Sequence, residues 1–218
     1  MFFLYFYNVN MRFILLFSML LSLSANAQNI NSVFVSMPDS LSPLLTKVNR
    51  QDFADFLASG MKAVVKNRFG GESEMLKLTD DYLKIKTTES SSEEMKLLPL
   101  NDSVNVVCVI KTYSGPAEDS QVSFYSTEWK KLSLNDFISL PQHEDFYKAS
   151  NDSINIVTKE EFTDEMFIMK AELSDKDNSI VFKCNTVETM GKENVDIIKQ
   201  HTVDSLKYNW NGGVYVKE

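Results

Sequence analysis

Residues 104–112 read Val-Asn-Val-Val-Cys-Val-Ile-Lys-Thr, the most apolar segment of the chain that has strand character. β-Branched and other apolar residues dominate this segment, and a Ser-Gly-Pro turn follows it at 114–116. A run of this kind between turn residues predicts a strand at the centre of a sheet. The segments before and after this strand predict the rest of the fold.

Segments on both sides of the central strand alternate apolar and polar residues with a period of two. The alternation predicts strands at 75–78, 82–87 and 95–99 before it, and at 122–126 after it. Short turns rich in Asp and Ser separate these segments, so consecutive strands are expected to be antiparallel neighbours. The sequence therefore predicts an antiparallel meander of four or five strands.

Two helices are predicted ahead of the meander. Asp39-Ser40 can cap the first, in which the apolar residues 41, 44, 45 and 48 share one face. Asn49 can cap the second, which is expected to end just before Gly60.

The C-terminal part predicts a second antiparallel sheet. Strands are expected at 154–158, 166–173 and 180–187, a short helix at 194–201, and a hairpin over 206–216 with Asn211-Gly212 as its turn. In this hairpin Leu206, Tyr208 and Trp210 alternate with polar residues, which predicts an aromatic face packed on the core.

The fold class predicted is therefore α+β: a helix pair and antiparallel meander, then a second half with a helix and an antiparallel sheet, ending in a β-hairpin. The two halves are expected at 28–140 and 141–218, packed as one globular unit.

Residues 1–27 have the features of a cleaved signal peptide. Met11-Arg12 precedes an apolar run from Phe13 to Leu23, and Ala25-Asn26-Ala27 has the small-x-small pattern of a cleavage site. The run is about a dozen residues, whereas a spanning helix needs roughly 18. The sequence therefore predicts export to the periplasm or beyond, with no transmembrane anchor in the mature chain.

The charge of the chain excludes one class of partner. It has 22 basic and 30 acidic residues, a net charge of −8, so sequence-independent binding to nucleic acid is not expected. An exported chain with two cysteines permits one disulfide, between Cys108 and Cys184. Both cysteines lie at apolar positions of predicted strands, however, and two free buried thiols would show the same pattern.

Motifs that would indicate an enzyme or a metal site are missing from the sequence. It has no nucleophile elbow, no zinc-protease motif and no Gly-rich phosphate loop, so no catalytic residue, metal ligand or cofactor is assigned. His143 is expected in a solvated loop and His201 at the end of a short helix. Asp175 and Asp177 are expected in a hairpin turn, and Trp129 is expected to be partly exposed.

Several segments of the chain carry a resemblance to a known family: Met37-Pro38-Asp39-Ser40-Leu41, Gly70-Gly71-Glu72-Ser73, Leu78-Thr79-Asp80-Asp81-Tyr82-Leu83, Met95-Lys96-Leu97-Leu98-Pro99-Leu100 and Tyr208-x-Trp210. Together they resemble a family of secreted Bacteroidales proteins, known as domain of unknown function 3256. The resemblance implies a Gram-negative cell envelope and brings no activity, cofactor or catalytic residue with it.

A seven-residue segment occurs twice in nearly the same form, as Asn-Asp-Ser-Val-Asn-Val-Val at 101–107 and Asn-Asp-Ser-Ile-Asn-Ile-Val at 151–157. Asp and Ser favour turns, so each copy predicts a turn that leads into a strand. The resemblance adds a second interpretation, because bacteria of this group carry a periplasmic O-glycosylation system that reads Asp, Ser or Thr, then an aliphatic residue. The candidate serines are Ser40, Ser103, Ser153 and Ser205.

Three functions remain open at this point. The first is a non-enzymatic binding or structural module of the envelope, with an unknown protein or glycan partner. The second is a protein inhibitor or chaperone-like partner that presents a sheet face. The third is a hydrolase whose site is assembled from residues distant in the sequence.

Overall fold

The computed structural model describes residues 29–148, 167–186 and 202–218. Helix α1 spans Ile30–Ser36 and helix α2 spans Lys47–Ala58. The strands are β1 Val64–Lys66, β2 Glu72–Leu78, β3 Tyr82–Thr88, β4 Ser91–Pro99, β5 Asn105–Ser114, β6 Glu118–Ser126, β7 Lys131–Leu132, β8 Met169–Leu173, β9 Ser179–Cys184, β10 Leu206–Asn211 and β11 Val214–Lys217. Short 3-10 helices at Leu134–Asp136 and His143–Phe146 lie between β7 and β8.

The strands form two antiparallel sheets, which confirms the predicted fold class. β1 to β7 form a seven-stranded meander in chain order, and β8 to β11 form a four-stranded sheet in the order β11-β10-β9-β8. The meander is longer than predicted because the short edge strands β1 and β7 join it. Such short strands carry too little periodicity to be recognised in the sequence.

Strand β5 is an interior strand of the larger sheet, between β4 and β6, and it is buried on both faces. Val107 and Val109 point to a core shared with the helices, whereas Val106, Cys108 and Ile110 point to a core shared with the four-stranded sheet. The molecule therefore has three layers: helices, the seven-stranded sheet and the four-stranded sheet.

The prediction of a first helix over residues 41–48 was wrong. The helix lies earlier, at Ile30–Ser36, with Asn29 as its N-cap, and residues 38–44 form turns. The carboxylate of Asp39 does not cap a helix, because it binds two arginine side chains from distant parts of the chain. The α2 helix is capped by Thr46, and Asn49 returns the hydrogen bond in a capping box. Gly60 follows α2 with a φ of 68°, as predicted.

The C-terminal hairpin is present, but its turn is shifted by one residue. Asn211 pairs with Val214, so the turn residues are Gly212 and Gly213, with φ values of 59° and 113°. Both residues of a type I′ turn require positive φ, and two glycines meet that need at no steric cost. The predicted inward face is confirmed, since Leu206 and Tyr208 are buried in the core.

Some of the remaining predictions are tested by the structure, and others fall outside the residues that it describes. The predicted strands at 166–173 and 180–187 are present in shorter form as β8 and β9. The signal peptide at 1–27, the strand at 154–158 and the helix at 194–201 lie outside the described residues.

Candidate functional site

An open cleft of about 590 Å³ lies beside strands β1, β2 and β3 of the seven-stranded sheet. Val64, Glu74 and Lys86 are direct cross-strand neighbours and point to one face of the sheet, where they form part of its wall. The full lining is Leu44, Val64, Asn67, Phe69, Gly71, Glu72, Glu74, Lys86, Thr88, Glu89 and Ser90.

A tight turn between β1 and β2 holds a large apolar side chain at this cleft. The side-chain oxygen of Asn67 accepts hydrogen bonds from the backbone N–H groups of Phe69 at 3.0 Å and Gly71 at 3.1 Å. Gly70 completes the turn with a φ of 82°, which a residue with a Cβ rarely adopts. Phe69 is 79% exposed on this turn. The backbone is thus fixed while the aromatic ring stays available to a partner.

The cleft is negatively charged. Its lining contains three carboxylates, from Glu72, Glu74 and Glu89, against the single cation of Lys86. Glu74 is paired with Lys62 at 3.1 Å. Within the described parts of the chain, Glu72 and Glu89 form no ion pair with a basic side chain. Two carboxylates at the cleft are therefore free to meet a cationic group.

A buried arginine fixes the loop that carries Leu44, the apolar wall of the cleft. Arg50 is 1% exposed and donates to the carbonyl oxygens of Leu45 at 2.7 Å and Met37 at 2.5 Å. It also binds one carboxylate oxygen of Asp39 at 3.1 Å, while Arg68 binds the other. The hydrogen bond from Arg50 and the charge of Arg68 keep the pKa of Asp39 below its ordinary value.

A smaller cavity of about 90 Å³ lies next to the cleft, with Leu44 in the wall of both. We call it the Glu93 cavity, because the buried carboxylate of Glu93 lines it. The amino group of Lys111 is 3.7 Å from Glu93 and donates to the carbonyl oxygen of Leu41 at 3.0 Å. The lining is Ser42, Pro43, Leu44, Leu45, Thr87, Ser91, Ser92, Glu93, Lys111 and Tyr113.

Glu93 should make stability depend on pH in a way that one substitution isolates. Burial raises the pKa of Glu93, and the charges of Lys111 and Arg50 only partly oppose this. A carboxyl with a raised pKa in the folded state stabilises the fold below its unfolded pKa. That contribution is lost as the pH rises through the folded value. We expect Glu93→Gln to gain stability relative to the wild type as the pH rises from 4 to 7.

Urea unfolding of the wild type and Glu93→Gln at a series of pH values measures this difference. Below the unfolded pKa of about 4.3 the residue is neutral in both states, and there the two proteins should differ least. A difference that stays constant with pH, or that increasingly favours the wild type, would show that Glu93 is charged in the folded protein without penalty.

The candidate glycosylation serines differ in their surroundings. Ser40, Ser103 and Ser205 are all exposed, and Ser153 lies outside the described residues. The three residues Asp102, Ser103 and Val104 are exposed together, on the turn that leads into β5. This confirms a turn-to-strand junction at 101–107. The other two triplets have a member in contact with the protein, as Asp39 binds arginines and Leu206 is buried.

Cys108 and Cys184 are free thiols in this structure. Cys108 is fully buried in the core between the sheets, and burial raises the pKa of its thiol. Cys184 is partly buried and packs against the same core.

Two aromatic predictions need correction. Trp129 is buried rather than partly exposed, because its indole N–H donates to the carbonyl oxygen of Val33 at 2.9 Å. His143 is not solvated, since its side chain is 11% exposed and lies near the rings of Tyr147 and Phe167. His201 lies outside the described residues.

The part of the chain that the structure describes contains neither a metal-binding cluster nor a membrane-spanning helix. There, no three His, Cys, Asp or Glu side chains come together as a metal site would need. No helix within these ranges is both long and apolar enough to cross a bilayer. The cleft was not predicted from the sequence, although Asn67 followed by Gly70-Gly71 indicates the turn that carries Phe69.

Helices on one face of an antiparallel meander, with a second antiparallel sheet on the other, define an α+β protein, here with an acidic surface cleft. The chain belongs to the family described as protein of unknown function (DUF3256), whose family model matches residues 22–215. The resemblance inferred from the sequence is thereby confirmed.

The fold is also similar to a solved structure, described as a domain of an uncharacterized protein from Porphyromonas gingivalis W83. The two chains are 26% identical, and the match covers 87% of this chain and 97% of that one, with a TM-score of 0.76. No curated protein gives a significant match.

Proposed function

We propose that this protein is an exported, non-enzymatic binding module of the cell envelope, and that the cleft binds an extended, basic segment of another polypeptide. Export is supported by the apolar N-terminal segment with its small-x-small ending. The observation that carries the binding proposal is Phe69, 79% exposed on a fixed turn at an acidic cleft.

The chemistry of the cleft indicates the class of partner. Exposed aromatic side chains on a rigid backbone are typical binding anchors, because little conformational freedom is lost when they are covered. The free carboxylates of Glu72 and Glu89 complement Lys or Arg side chains, and the net charge of −8 disfavours anionic partners. An extended segment with alternating basic and apolar residues would satisfy both features.

Removing the aromatic anchor should weaken binding strongly. We expect Phe69→Ser to bind a fluorescent peptide of alternating Lys and Leu about 10-fold to 30-fold more weakly, a loss of about 1.4–2 kcal/mol. Fluorescence anisotropy measures the dissociation constant, which should also rise with salt because the ion pairs are screened.

Leu76→Ser provides the matched control. Leu76 is 51% exposed on β2 of the same sheet and is not part of the cleft lining, so its replacement should leave peptide affinity unchanged. Equal affinities for the wild type and Phe69→Ser would refute the cleft as the binding site. Preference for a peptide of alternating Glu and Leu would refute the charge argument.

We further propose that the protein carries an O-linked glycan and that Ser103 is its preferred site. An enzyme that reads Asp-Ser-aliphatic can reach all three residues of the 102–104 triplet, and Val104 is 48% exposed. In its native host the mature chain should be heavier than the unmodified polypeptide from Gln28, and Ser103→Ala should remove the added mass. Intact-mass spectrometry measures this, with Ser205→Ala as the comparison. A mass equal to the bare chain would exclude the modification.

A further inference from the structure

The Glu93 cavity contains a buried acceptor without a hydrogen-bond donor. Glu93 is 5% exposed, and its Oε1 atom accepts no hydrogen bond from the described residues. Lys111 is 3.7 Å away, beyond hydrogen-bonding distance, and donates to a backbone carbonyl instead. Because an unsatisfied buried acceptor is costly, a group that donates a hydrogen bond to Glu93 would be favoured in the cavity.

The charges around the cavity restrict the class of ligand. The carboxylate of Glu93 would repel an anion, and the ammonium group of Lys111 would repel a cation. A neutral ligand with several hydroxyl groups would be repelled by neither. Its hydroxyls could both donate and accept hydrogen bonds. The cavity lining supplies matching side-chain hydroxyls from Ser42, Thr87 and Ser92.

The rim of the cavity offers a surface for the apolar face of such a ligand. Tyr113 lines the cavity and is 56% exposed. Aromatic rings present a flat apolar surface with a polar edge, which suits the C–H face of a sugar ring. The volume of 90 Å³ equals about three water molecules in the liquid, enough for one hydroxylated edge of a ring but not for a whole one.

We propose that the Glu93 cavity binds a neutral saccharide, with one hydroxylated edge inside beside Glu93 and Lys111 and the ring face against Tyr113. The proposal does not rest on the peptide-binding role of the cleft. Only Leu44 is shared between the two linings, so the two sites can fail separately.

Ligand-observed NMR on the full mature chain tests this with defined probes. The probes are methyl glycosides of glucose, galactose, mannose and N-acetylglucosamine at millimolar concentration, with glycine and methylammonium as the charged alternatives. We expect saturation transfer to at least one glycoside. We also expect about a tenfold or larger loss of affinity in Glu93→Gln, because the amide has a single acceptor oxygen and places an NH2 donor where the carboxyl group has its second oxygen.

Tyr113→Ala is the second variant. Because Tyr113 is exposed, its replacement should leave the fold intact, and the proposal can still be tested if Glu93→Gln does not fold. It should weaken glycoside binding as well, whereas the exposed Glu128→Gln and the cleft variant Phe69→Ser should not. The proposal is overturned if no glycoside shows transfer or if binding survives both cavity substitutions. Preferential binding of glycine or methylammonium overturns it too.

Discussion

Replacing Arg50 with Met should destabilise the protein by about 3 kcal/mol or more, because a buried network loses its donor. Arg50 is 1% exposed and binds the carbonyl oxygens of Met37 and Leu45 together with the carboxylate of Asp39. Methionine has most of the volume of arginine but no hydrogen-bond donor. The carbonyl and carboxylate oxygens that accept from Arg50 would therefore lose their donor. Urea unfolding followed by the fluorescence of the buried Trp129 measures the loss.

Arg68→Met is the matched control for this prediction. Arg68 binds the same carboxylate of Asp39, but its side chain is 40% exposed and can be replaced by water. Exposed pairs of this kind contribute about 0–1 kcal/mol, so the control should be close to the wild type. Similar losses in the two variants would show that burial of Arg50 is not what makes its hydrogen bonds important.

Replacing Glu94 with Ala should cost about 3 kcal/mol, because this buried carboxylate connects the two sheets. One oxygen of Glu94 binds Lys84 at 2.7 Å, and the other accepts the backbone N–H of Leu173 in β8 at 2.9 Å. The carboxylate thus accepts a hydrogen bond from a buried backbone N–H group of the smaller sheet. Glu94 also acts on Tyr82, because burial and the charge of Glu94 raise the pKa of Tyr82.

Glu94→Gln separates the hydrogen bond from the charge. The amide oxygen can still accept from Leu173, so this variant should lose clearly less stability than Glu94→Ala. Fluorescence of Trp129 beside the helices and of Trp210 in the smaller sheet should report one common transition. A loss below about 0.5 kcal/mol in Glu94→Ala, the size of an ordinary surface effect, would contradict the role given to this residue.

The sheets could be predicted from the sequence because their signals are local. Alternation of apolar and polar residues identified the meander, and the run of Val and Ile identified β5 as a buried interior strand. The predicted turn of the hairpin was shifted by one residue, because Asn211-Gly212 and Gly212-Gly213 are both favourable turn pairs. Only the pairing of Asn211 with Val214 decides between them.

The errors occurred where distant residues decide the structure. Asp39 looks like a helix cap until Arg50 and Arg68 are brought to it by the fold. Distant residues also decide the surroundings of Lys96, which is 2% exposed and whose amino group reaches Asp81 at 2.8 Å.

The cleft could not be predicted either. No local pattern shows that a phenylalanine remains exposed, and the three glutamates of the cleft come together only when the strands pair. The proposals of export and glycosylation, in contrast, start from short linear sequence patterns.

Amide chemical-shift mapping tests most directly whether a basic segment binds in the cleft. Isotope-labelled protein is titrated with the peptide of alternating Lys and Leu, and the shifted amides are assigned. We predict that the perturbed residues cluster at 67–74 and 86–90, around Phe69 and the two free glutamates. Perturbations that cluster instead on the exposed Val214 and Val216 of β11 would contradict binding in the cleft and support a partner bound to the sheet face.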